Sequence, residues 1–409
     1  MVPKGWEIKY LKDILSEPIR NGFSPIASDK ETGFWVLSLG ALDDEGINVI
    51  EIKPVEPTER VLQTQLRYGD FLVSRSNTPD KVGRSIYFKG EVENCSYPDL
   101  MMKFRVDEDK VNPVFIEQKL KSFEIRSYFK NCAAGSSSTM VKINRGILEK
   151  TPLLLPGIKE QEKIAQLLAT WDKAINTTKQ LLINSQQQKK SLMQKLLTGS
   201  ERLAGFHDKW KDGTLGDLAM IDSGFAFKSN TFTDSAIGIP IVRMNNLKNG
   251  KLDLSEAVKI ISSEATELDK FLLAENDFVF GMSGSLTNYA WVTAKDLPCY
   301  LNQRVGRLSA RSYCDQVFVS FLYLSDIVQQ SILDKAEGAA QLNISLGALR
   351  TIPVKYPSLE EQIKIASILT AADDYCTILK QKLHNLKQEK KALMQQLLTG
   401  KRRVKTEAA

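Results

Sequence analysis

The sequence is poor in the residues that disulfide frameworks and metal sites require. Its 409 residues include five cysteines and two histidines. The cysteines, at positions 95, 132, 299, 314 and 376, are scattered singly without a C-x-x-C pair, which is typical of free thiols in a reducing compartment. We therefore predict a cytoplasmic protein without disulfides. Because His207 and His384 lie far apart in the chain, no metal site is predicted.

Long apolar runs and nucleotide-binding fingerprints are also missing. No run of about eighteen apolar residues occurs, so no membrane span is predicted. The N-terminal sequence, MVPKGWEIKYLKDIL, lacks the basic-then-apolar order of a secretory signal. There is no G-x-x-x-x-G-K-S/T loop, no glycine fingerprint of a dinucleotide-type fold and no Asn-Pro-Pro-aromatic tetrapeptide of amino-methyltransferases. The sequence thus predicts neither a P-loop ATPase nor a methyltransferase.

One weak nuclease-like pattern is present. Nuclease chemistry needs clustered carboxylates that hold a metal beside the scissile phosphate. Asp99, followed by Glu108 and Lys110, imitates one such spacing. With 25% of residues charged, this spacing arises easily by chance, and the related position in the second half of the chain is Gln303. We therefore predict no catalytic residue in this chain, which is expected not to be an enzyme.

The most prominent feature that is present is an internal repeat. The segment KKSLMQKLLTG at 189–199 returns as KKALMQQLLTG at 390–400. Shifting the chain by 390 − 189 = 201 residues places 152–199 on 353–400 without a gap. Self-similarity at a fixed spacing indicates a duplicated architecture.

The segments before these repeats also match, but more weakly. Trp6 corresponds to Trp210, and the strand-like sequence GDFLV corresponds to NDFVF. Short apolar runs predict strands, and helical spacing follows at 112–129 and 315–333, so each half is predicted to be an α+β unit. The predicted domains are globular unit 1–151, spacer helix 152–199, linker 200–209, globular unit 210–352, spacer helix 353–400 and basic tail 401–409.

The repeated segments have the periodicity of a helix–helix seam. Apolar residues recur at alternating steps of four and three, as in a coiled coil. Ser358 with Glu361 forms a capping-box pattern, while Gly199 and Gly400 supply the residue type that ends helices. The predicted seam residues are Ile164, Leu168, Trp171, Ile175, Leu182, Leu192, Leu196, Ile365, Leu369, Leu379, Leu383, Leu386, Leu393 and Leu397; Lys189 and Lys390 occupy the same register.

Connectivity predicts the direction in which the two helices pair. A helix of about 40 residues is roughly 60 Å long, and an apolar stripe of that length must be covered. The second unit begins shortly after helix one ends and finishes just before helix two begins, so these helix ends lie close together. We therefore predict an antiparallel pair with the units at opposite ends. The alternative is that each helix packs only on its own unit.

The net charge of +6 is compatible with a polyanionic partner but is not evidence for one. Arginine can bind guanine edges, and asparagine or glutamine can bind adenine edges, so basic and amide residues in polar loops are candidates for DNA contacts. Glycine- and serine-rich loops with free amides could contact phosphates, although they could equally be ordinary turns. The predicted DNA-binding residues are Arg75, Asn77, Lys81, Arg84, Ser136, Ser137, Ser138, Lys142, Arg145, Arg243, Asn245, Asn246, Asn288, Arg304, Gln341, Asn343 and Arg350; Lys248 and Arg307 belong to the same basic set.

The sequences LMQKLLTGSERL and LMQQLLTGKRRV, each after a long helix introduced by P-x-x-x-E-Q-x-x-I, resemble the repeated regions of the specificity subunit of type I restriction–modification systems. The resemblance spans the whole chain. It implies two target recognition domains that read a gapped, two-part DNA site, with the paired helices as spacer.

It also implies docking of two methyltransferase subunits and two motor–nuclease subunits. S-adenosylmethionine, ATP and Mg²⁺ are then expected on these partners, and no cofactor is expected on this chain. Two other interpretations remain: the recognition part of a fused methyltransferase or nuclease, and an orphan specificity subunit used only for modification.

Overall fold

The computed structural model describes residues 2–43, 46–137, 140–248, 250–261, 268–337 and 342–405. The chain forms two compact units. Unit 1 holds the N-terminal part of the chain to Lys179 and resumes at Gln381, whereas unit 2 runs from Gln180 to Lys380. Each unit therefore contains one globular part and one half of each long helix.

Unit 1 is an α+β structure, as the sequence predicts. Its strands are β1 (Glu7–Tyr10), β2 (Leu15–Asn21), β3 (Trp35–Leu37), β4 (Ile52–Pro54), β5 (Phe71–Ser74), β6 (Ser76–Asn77), β7 (Ser85–Tyr87), β8 (Cys95–Ser96), β9 (Met101–Val106), β10 (Ala134–Ser137), β11 (Met140–Lys142) and β12 (Pro152–Leu155). Its helices are α1 (Glu59–Gln63), α2 (Pro113–Lys121), α3 (Phe123–Cys132), α4 (Arg145–Glu149) and the first half of α5 (Ile158–Leu196).

Unit 2 repeats most of these elements. Its strands are β13 (Lys211–Thr214), β14 (Ala219–Ser223), β15 (Ile239–Val242), β16 (Leu247–Lys248), β17 (Lys251–Leu252), β18 (Lys259–Ile260), β19 (Phe278–Gly281), β20 (Tyr289–Trp291), β21 (Tyr300–Leu301), β22 (Val305–Ala310) and β23 (Pro353–Tyr356). Its helices are α6 (Leu215–Leu218), α7 (Gln316–Tyr323), α8 (Asp326–Lys335), α9 (Leu346–Arg350) and the first half of α10 (Leu359–Leu397).

The strand order is the same in both units, although the sequence alone does not give it. Unit 1 has an antiparallel sheet β2–β9–β5–β7 and a mixed sheet β4–β3–β8, in which β3 and β8 are parallel. Unit 2 has the equivalent sheets β14–β22–β19–β20 and β18–β15–β21. The predicted strands therefore form sheets by pairing with segments distant in the chain. A third sheet, β10–β11–β6, appears in unit 1.

Each segment predicted to be helical near the end of a unit is two helices. In unit 1 the break falls at Ser122, whose hydroxyl accepts a hydrogen bond from the Ile125 amide at the start of α3. In unit 2 Ser325 does the same for the Val328 amide at the start of α8. Serine is a favoured N-cap because its side chain satisfies an amide that has no partner within the helix.

Close backbone packing requires a glycine directly after β2 in unit 1 and directly after β14 in unit 2. A Cβ atom built on Gly22 would overlap the Tyr97 carbonyl oxygen, and one built on Gly224 would overlap the Leu301 carbonyl. The next residue in each unit, Phe23 or Phe225, donates its amide to that carbonyl at 3.0 or 2.9 Å. The close approach and the hydrogen bond thus hold the two sheets of each unit together.

We expect Gly22→Ala to destabilise unit 1 and Gly224→Ala to destabilise unit 2, each by about 1–3 kcal/mol, because the new methyl group forces the backbone apart. Gly157→Ala is the matched control, since a Cβ there meets no atom within 4 Å. Thermal unfolding followed by calorimetry and hydrogen exchange would measure the effect and locate it. Equal stability of all three variants would contradict this packing role.

The two long helices, α5 and α10, contain 39 residues each. They begin later than the predicted segments, because Pro152–Leu155 pairs as a strand with β1 and Pro353–Tyr356 pairs with β13. Both end as predicted, with Gly199 and Gly400 at φ +70° in the left-handed region that glycine tolerates.

The residues of the predicted seam are all buried or half-buried along both helices. In unit 2 Ser185 Oγ contacts Cys376 Sγ at 3.1 Å, and Lys189 forms an ion pair with Asp373. In unit 1 Lys390 Nζ lies 2.6 Å from Asp172 Oδ1. In unit 2 later residues of α5 meet earlier residues of α10, and in unit 1 earlier residues of α5 meet later residues of α10, so the helices are antiparallel.

The long helices also pack into the cores of the units. Each helix therefore contacts both the other long helix and a globular part. In unit 1 Ile164 and Leu168 of α5 share one core with Leu397 of α10 and with Leu398, which follows it. In unit 2 the equivalent residues Ile365, Leu369, Leu196 and Leu197 lie in one core. The repeated LLTG sequence is therefore a helix end that belongs to the core of each unit.

One arginine–glutamate ion pair in each unit holds these helix ends, and the two pairs occupy matching positions. Arg403 donates to both oxygens of Glu160 at 2.6 and 2.7 Å in unit 1. Arg202 donates to both oxygens of Glu361 at 2.9 and 2.7 Å in unit 2. These hydrogen bonds raise the pKa of both guanidinium groups above the ordinary value. The Glu361 carboxylate, which the sequence pattern assigns to a capping box, thus binds an arginine.

Candidate nucleic-acid interface

The candidate interface lies where the chain leaves the central strand of each unit. We call it the strand-exit surface and define it by residues 75–84 and 140–145 in unit 1, and by residues 281–288, 302–304 and 342–344 in unit 2. These segments contain most of the predicted DNA-binding residues.

In unit 1 the fold brings two predicted segments together. Strand β6 follows β5 directly and pairs with β11, so that Asn77 lies opposite Val141 and Ser76 lies opposite Lys142. The Ile143 amide then donates to the Arg75 carbonyl at 2.9 Å. Residues separated by more than sixty positions in the sequence therefore form one surface.

The cations of this surface differ in their availability to a ligand. Lys81 and Lys142 are exposed, and Arg145 is exposed but bonds Glu149 at 2.7 Å. Arg75 is half-buried, and Arg84 Nη1 donates to the Leu42 carbonyl at 3.1 Å. The two lysines are the side chains best placed to contact DNA phosphates. Contacts between flexible cations and phosphates do not depend on the DNA sequence.

The turn that carries Lys81 is held by several hydrogen bonds. The Lys81 amide donates to the Thr78 carbonyl at 2.9 Å. Arg126 of α3 donates to the Val82 and Asp80 carbonyls, both at 2.7 Å. No motif in the sequence indicates this role for Arg126, because it depends on α3 packing beside the turn.

The amide candidate of unit 1, Asn77, has a local role. Asn77 Nδ2 donates to Ser74 Oγ at 3.3 Å, and its Oδ1 accepts from the Thr78 amide at 2.9 Å, so the side chain shapes its own turn. Ser136 and Ser137 lie in β10, which pairs with β11. Ser138 lies outside the described residues.

In unit 2 the equivalent strand exit gathers candidates from three segments. The Gly281 amide donates to the Asn288 carbonyl at 2.9 Å, and the Met282 amide donates to the Arg304 carbonyl at 3.1 Å. Ser283 bridges to Asn343 by backbone pairing. The side chains of Arg304 and Asn343 are exposed at this place. Gln341 lies outside the described residues.

The turn at Met244–Asn246 lies beside the same strand exit, since a Cβ on Gly281 would contact the Met244 side chain. Two neighbouring asparagines in this turn have opposite environments. Asn245 is exposed, whereas Asn246 is buried, donates to the Asp253 carbonyl at 2.9 Å and accepts from the Arg243 amide at 2.9 Å. Asn245 is therefore available to a ligand, while Asn246 holds the turn.

Two other arginines of the basic set bind protein groups away from this surface. Arg350 donates to the Ile221 carbonyl at 2.6 Å. Arg307 lies 2.7 Å from Asp222 and 3.6 Å from Asp277, at the opposite end of β19. The hydrogen bonds that Arg307 donates to Asp222 raise the pKa of its guanidinium against the opposing effect of burial. Lys248 is exposed in β16.

Two features are missing from the described residues. Within them, no group of three or more His, Cys, Asp or Glu side chains is arranged to hold a metal ion. No helix in the described part of the chain combines the length and apolar character that a bilayer crossing requires.

The fold and the strand-exit surfaces define a duplicated scaffold with two related recognition units and a pair of antiparallel helices. Residues 3–185 and 207–388 match the family described as Type I restriction modification DNA specificity domain. This match covers most of the chain. The protein therefore belongs to that family and carries its domain twice.

Two relatives from Methanocaldococcus jannaschii illustrate the similarity. The MjaX type I restriction enzyme specificity subunit is 26% identical over 423 residues, covering 99% of this chain and 95% of its own length. The MjaVIII type I restriction enzyme specificity subunit is 25% identical over 319 residues, covering 75% of this chain and 74% of its own.

A solved structure also shares the fold. The type I restriction–modification S subunit from M. genitalium matches with a TM-score of 0.59 at 14% sequence identity, covering 97% of this chain and 96% of that one. At this identity the likeness shows the common architecture.

Proposed function

We propose that this chain is the subunit that selects the DNA sequence for a type I restriction–modification complex. Each unit reads one half of a gapped, two-part target, and the paired helices set the distance between the halves. The observation that carries the proposal is the duplication: two units share one fold and one strand-exit position, but present different side chains there. Two different readers give an asymmetric two-part target.

The chemistry belongs to the partners in this proposal. Two methyltransferase subunits use S-adenosylmethionine to methylate adenines, and two motor–nuclease subunits use ATP and Mg²⁺. The present chain is a non-catalytic scaffold that acts in the cytoplasm. Exposed apolar side chains on the long helices are the candidate docking residues in this proposal. They are Leu167, Leu181, Ile183, Ile363, Ile368, Tyr375 and Ile378.

Co-expression with the cognate methyltransferase subunit, followed by single-molecule mapping of N6-methyladenine, tests the proposal. The expected result is methylation within two short sequences separated by a constant gap of unspecified bases. Methylation that does not depend on this chain, or that falls within one continuous motif, would be evidence against it.

Removing the exposed lysines of unit 1 is expected to weaken DNA binding without changing the target. Lys81→Ala and Lys142→Ala should each lower the slope of log affinity against log salt by about 1, because one phosphate contact is lost. Lys110→Ala is the control, because this exposed lysine is not part of the strand-exit surface. It lies near Asn112, whose backbone amide donates a hydrogen bond to the Gln161 side chain at the start of α5. A changed target motif or an unchanged salt slope would show that these lysines do not contact phosphates.

A further inference from the structure

One turn joins the two main sheets of each unit and has the same backbone hydrogen bond in both. In unit 1 it spans residues 98–101, between β8 and β9, and in unit 2 it spans residues 302–305, between β21 and β22. In each turn the amide of the last residue donates to the carbonyl of the first, at 3.0 Å in unit 1 and 2.9 Å in unit 2. We call this segment the sheet-connecting turn. Its two copies are therefore closed in the same way.

In both units the sheet-connecting turn is hydrogen-bonded to the chain that leaves the central strand. In unit 1 the Arg75 amide donates to the Leu100 carbonyl at 2.8 Å, and the Ile143 amide donates to the Arg75 carbonyl at 2.9 Å. In unit 2 the equivalent amides, at positions 282 and 344, donate at 3.1 and 3.0 Å. The turn therefore occupies the same place beside the strand-exit surface of each unit.

The side chains that the turn presents differ between the units. Its second position is Asp99 in unit 1 and Gln303 in unit 2, and both side chains are exposed. Its third position is half-buried Leu100 in unit 1 and exposed Arg304 in unit 2. Different polar side chains on a matching backbone are the arrangement expected where two recognition units distinguish different base pairs.

The Gln303 side chain does not form the turn in unit 2. Asn302 Oδ1 accepts a hydrogen bond from the Arg304 amide at 3.2 Å, which is how a short amide side chain stabilises a turn. Within the residues that the structure describes, the Gln303 side-chain amide has no hydrogen-bond partner. Both of its polar groups are therefore available to a ligand.

Asp99 is oriented by the loop that follows β2. Ser24 Oγ donates to Asp99 Oδ1, and the Asp99 amide donates to Ser24 Oγ at 3.2 Å. Among the described groups, none donates to the second carboxylate oxygen, Oδ2. In unit 2 the residue at the place of Ser24 is Ala226. The serine is thus specific to the unit that has a carboxylate to hold.

The hydrogen-bonding groups indicate which base each side chain suits. A carboxylate only accepts hydrogen bonds, and cytosine presents the N4 donor alone in the major groove. A glutamine amide both donates and accepts, which matches N7 and N6 of adenine. Exposed Lys142, next to Ile143 in the same row of segments, can contact a phosphate and so offset the repulsion between Asp99 and DNA.

We propose that the sheet-connecting turn is a base-reading element in both units. Asp99 accepts a hydrogen bond from cytosine N4 in one half of the target, and Gln303 bonds N6 and N7 of adenine in the other half. Ser24 is a positioning residue that holds the Asp99 carboxylate. This inference rests on the proposed function, which supplies the two-part DNA target, and it assigns one base pair in each half to one side chain.

The test uses the full chain with its co-expressed methyltransferase subunit and the DNA target found by methylation mapping. Competition binding measures the affinity for that target and for versions with each base pair changed singly. Asp99→Asn replaces the carboxylate with an amide, so the preference at one position should change from cytosine to adenine, with a change in relative affinity of about tenfold or more. Gln303→Glu makes the reverse replacement and should change a preference for adenine to one for cytosine in the other half.

The positioning role of Ser24 has its own readout. Ser24→Ala should lower the cytosine preference at the Asp99 position by roughly threefold, because one hydrogen bond to the carboxylate is lost. Ser24→Thr keeps the hydroxyl and should keep the preference. A purely structural role would change the melting temperature and leave the base preference unaltered.

Two matched variants control for the change of charge. Asp109→Asn and Gln330→Glu make the same kinds of replacement at exposed positions outside the strand-exit surfaces. Both should keep every base preference of the unaltered protein. Thermal unfolding verifies that all variants are folded.

The outcomes separate this inference from the proposed function. Base preferences that stay unchanged in Asp99→Asn or in Gln303→Glu would overturn the assignment of that residue, as would a uniform change of affinity for all targets. Either result would leave the two-part target in place. Methylation that does not depend on this chain would instead contradict the proposed function itself.

Discussion

Insertion of one heptad into each long helix is expected to abolish methylation at the original target and to create a new target. The inserted residues are placed after Ser185 and before Cys376, which face each other across the seam. Seven residues preserve the coiled-coil register and add about 10 Å of helix. At 3.4 Å per base pair the gap should lengthen by about 3 base pairs, while both half-sequences remain the same.

Methylation mapping of the variant with its methyltransferase subunit measures this effect directly. A variant with the exposed residues Gln187 and Gln188 replaced by glutamate is the control for altered helix sequence at constant length. It should keep the original gap. If the heptad variant methylated the original target with the original gap, the helices would not set the spacing, and the spacer part of the proposed function would be wrong.

Removal of the residues after Gly400 is expected to destabilise unit 1, although most of that unit lies at the other end of the sequence. The truncation removes Arg403, which binds the buried Glu160 carboxylate, and Val404, which packs against the unit 1 core. A buried carboxylate without its guanidinium is costly, and the partial exposure of Arg403 moderates the loss to about 2–3 kcal/mol. The melting temperature should fall by roughly 5–10 °C.

Hydrogen exchange should locate the loss in unit 1, because unit 2 has its own pair between Arg202 and Glu361. A chain that ends at Lys405 keeps the contacts and should be as stable as the whole protein. Arg403→Ala should reproduce much of the effect, and Arg402→Ala, which changes an exposed neighbour, should not. Equal destabilisation of both units would indicate that the tail acts in some other way.

The position of the candidate site could be predicted only in part. The sequence places Lys81 and Lys142 in polar loops, but the adjacency of those loops depends on the pairing of β6 with β11. The neighbouring residues Asn245 and Asn246 look equivalent in the sequence, yet the turn buries one and exposes the other. Side-chain type indicates a possible DNA contact, whereas exposure and competing hydrogen bonds determine which residues are available.

The sequence by itself determined the duplication, the helical seam, the antiparallel direction and the glycine helix ends. The seam and the helix ends follow from short-range periodicity and residue type, whereas the duplication and the antiparallel direction follow from a repeat and from linker lengths that are read along the chain. Only the tertiary structure decided the strand order, the role of Arg126 and the pairing of Glu160 with Arg403 across 243 positions. Such contacts form between segments whose separation in the chain carries no periodic signal, so they follow from packing of the whole unit.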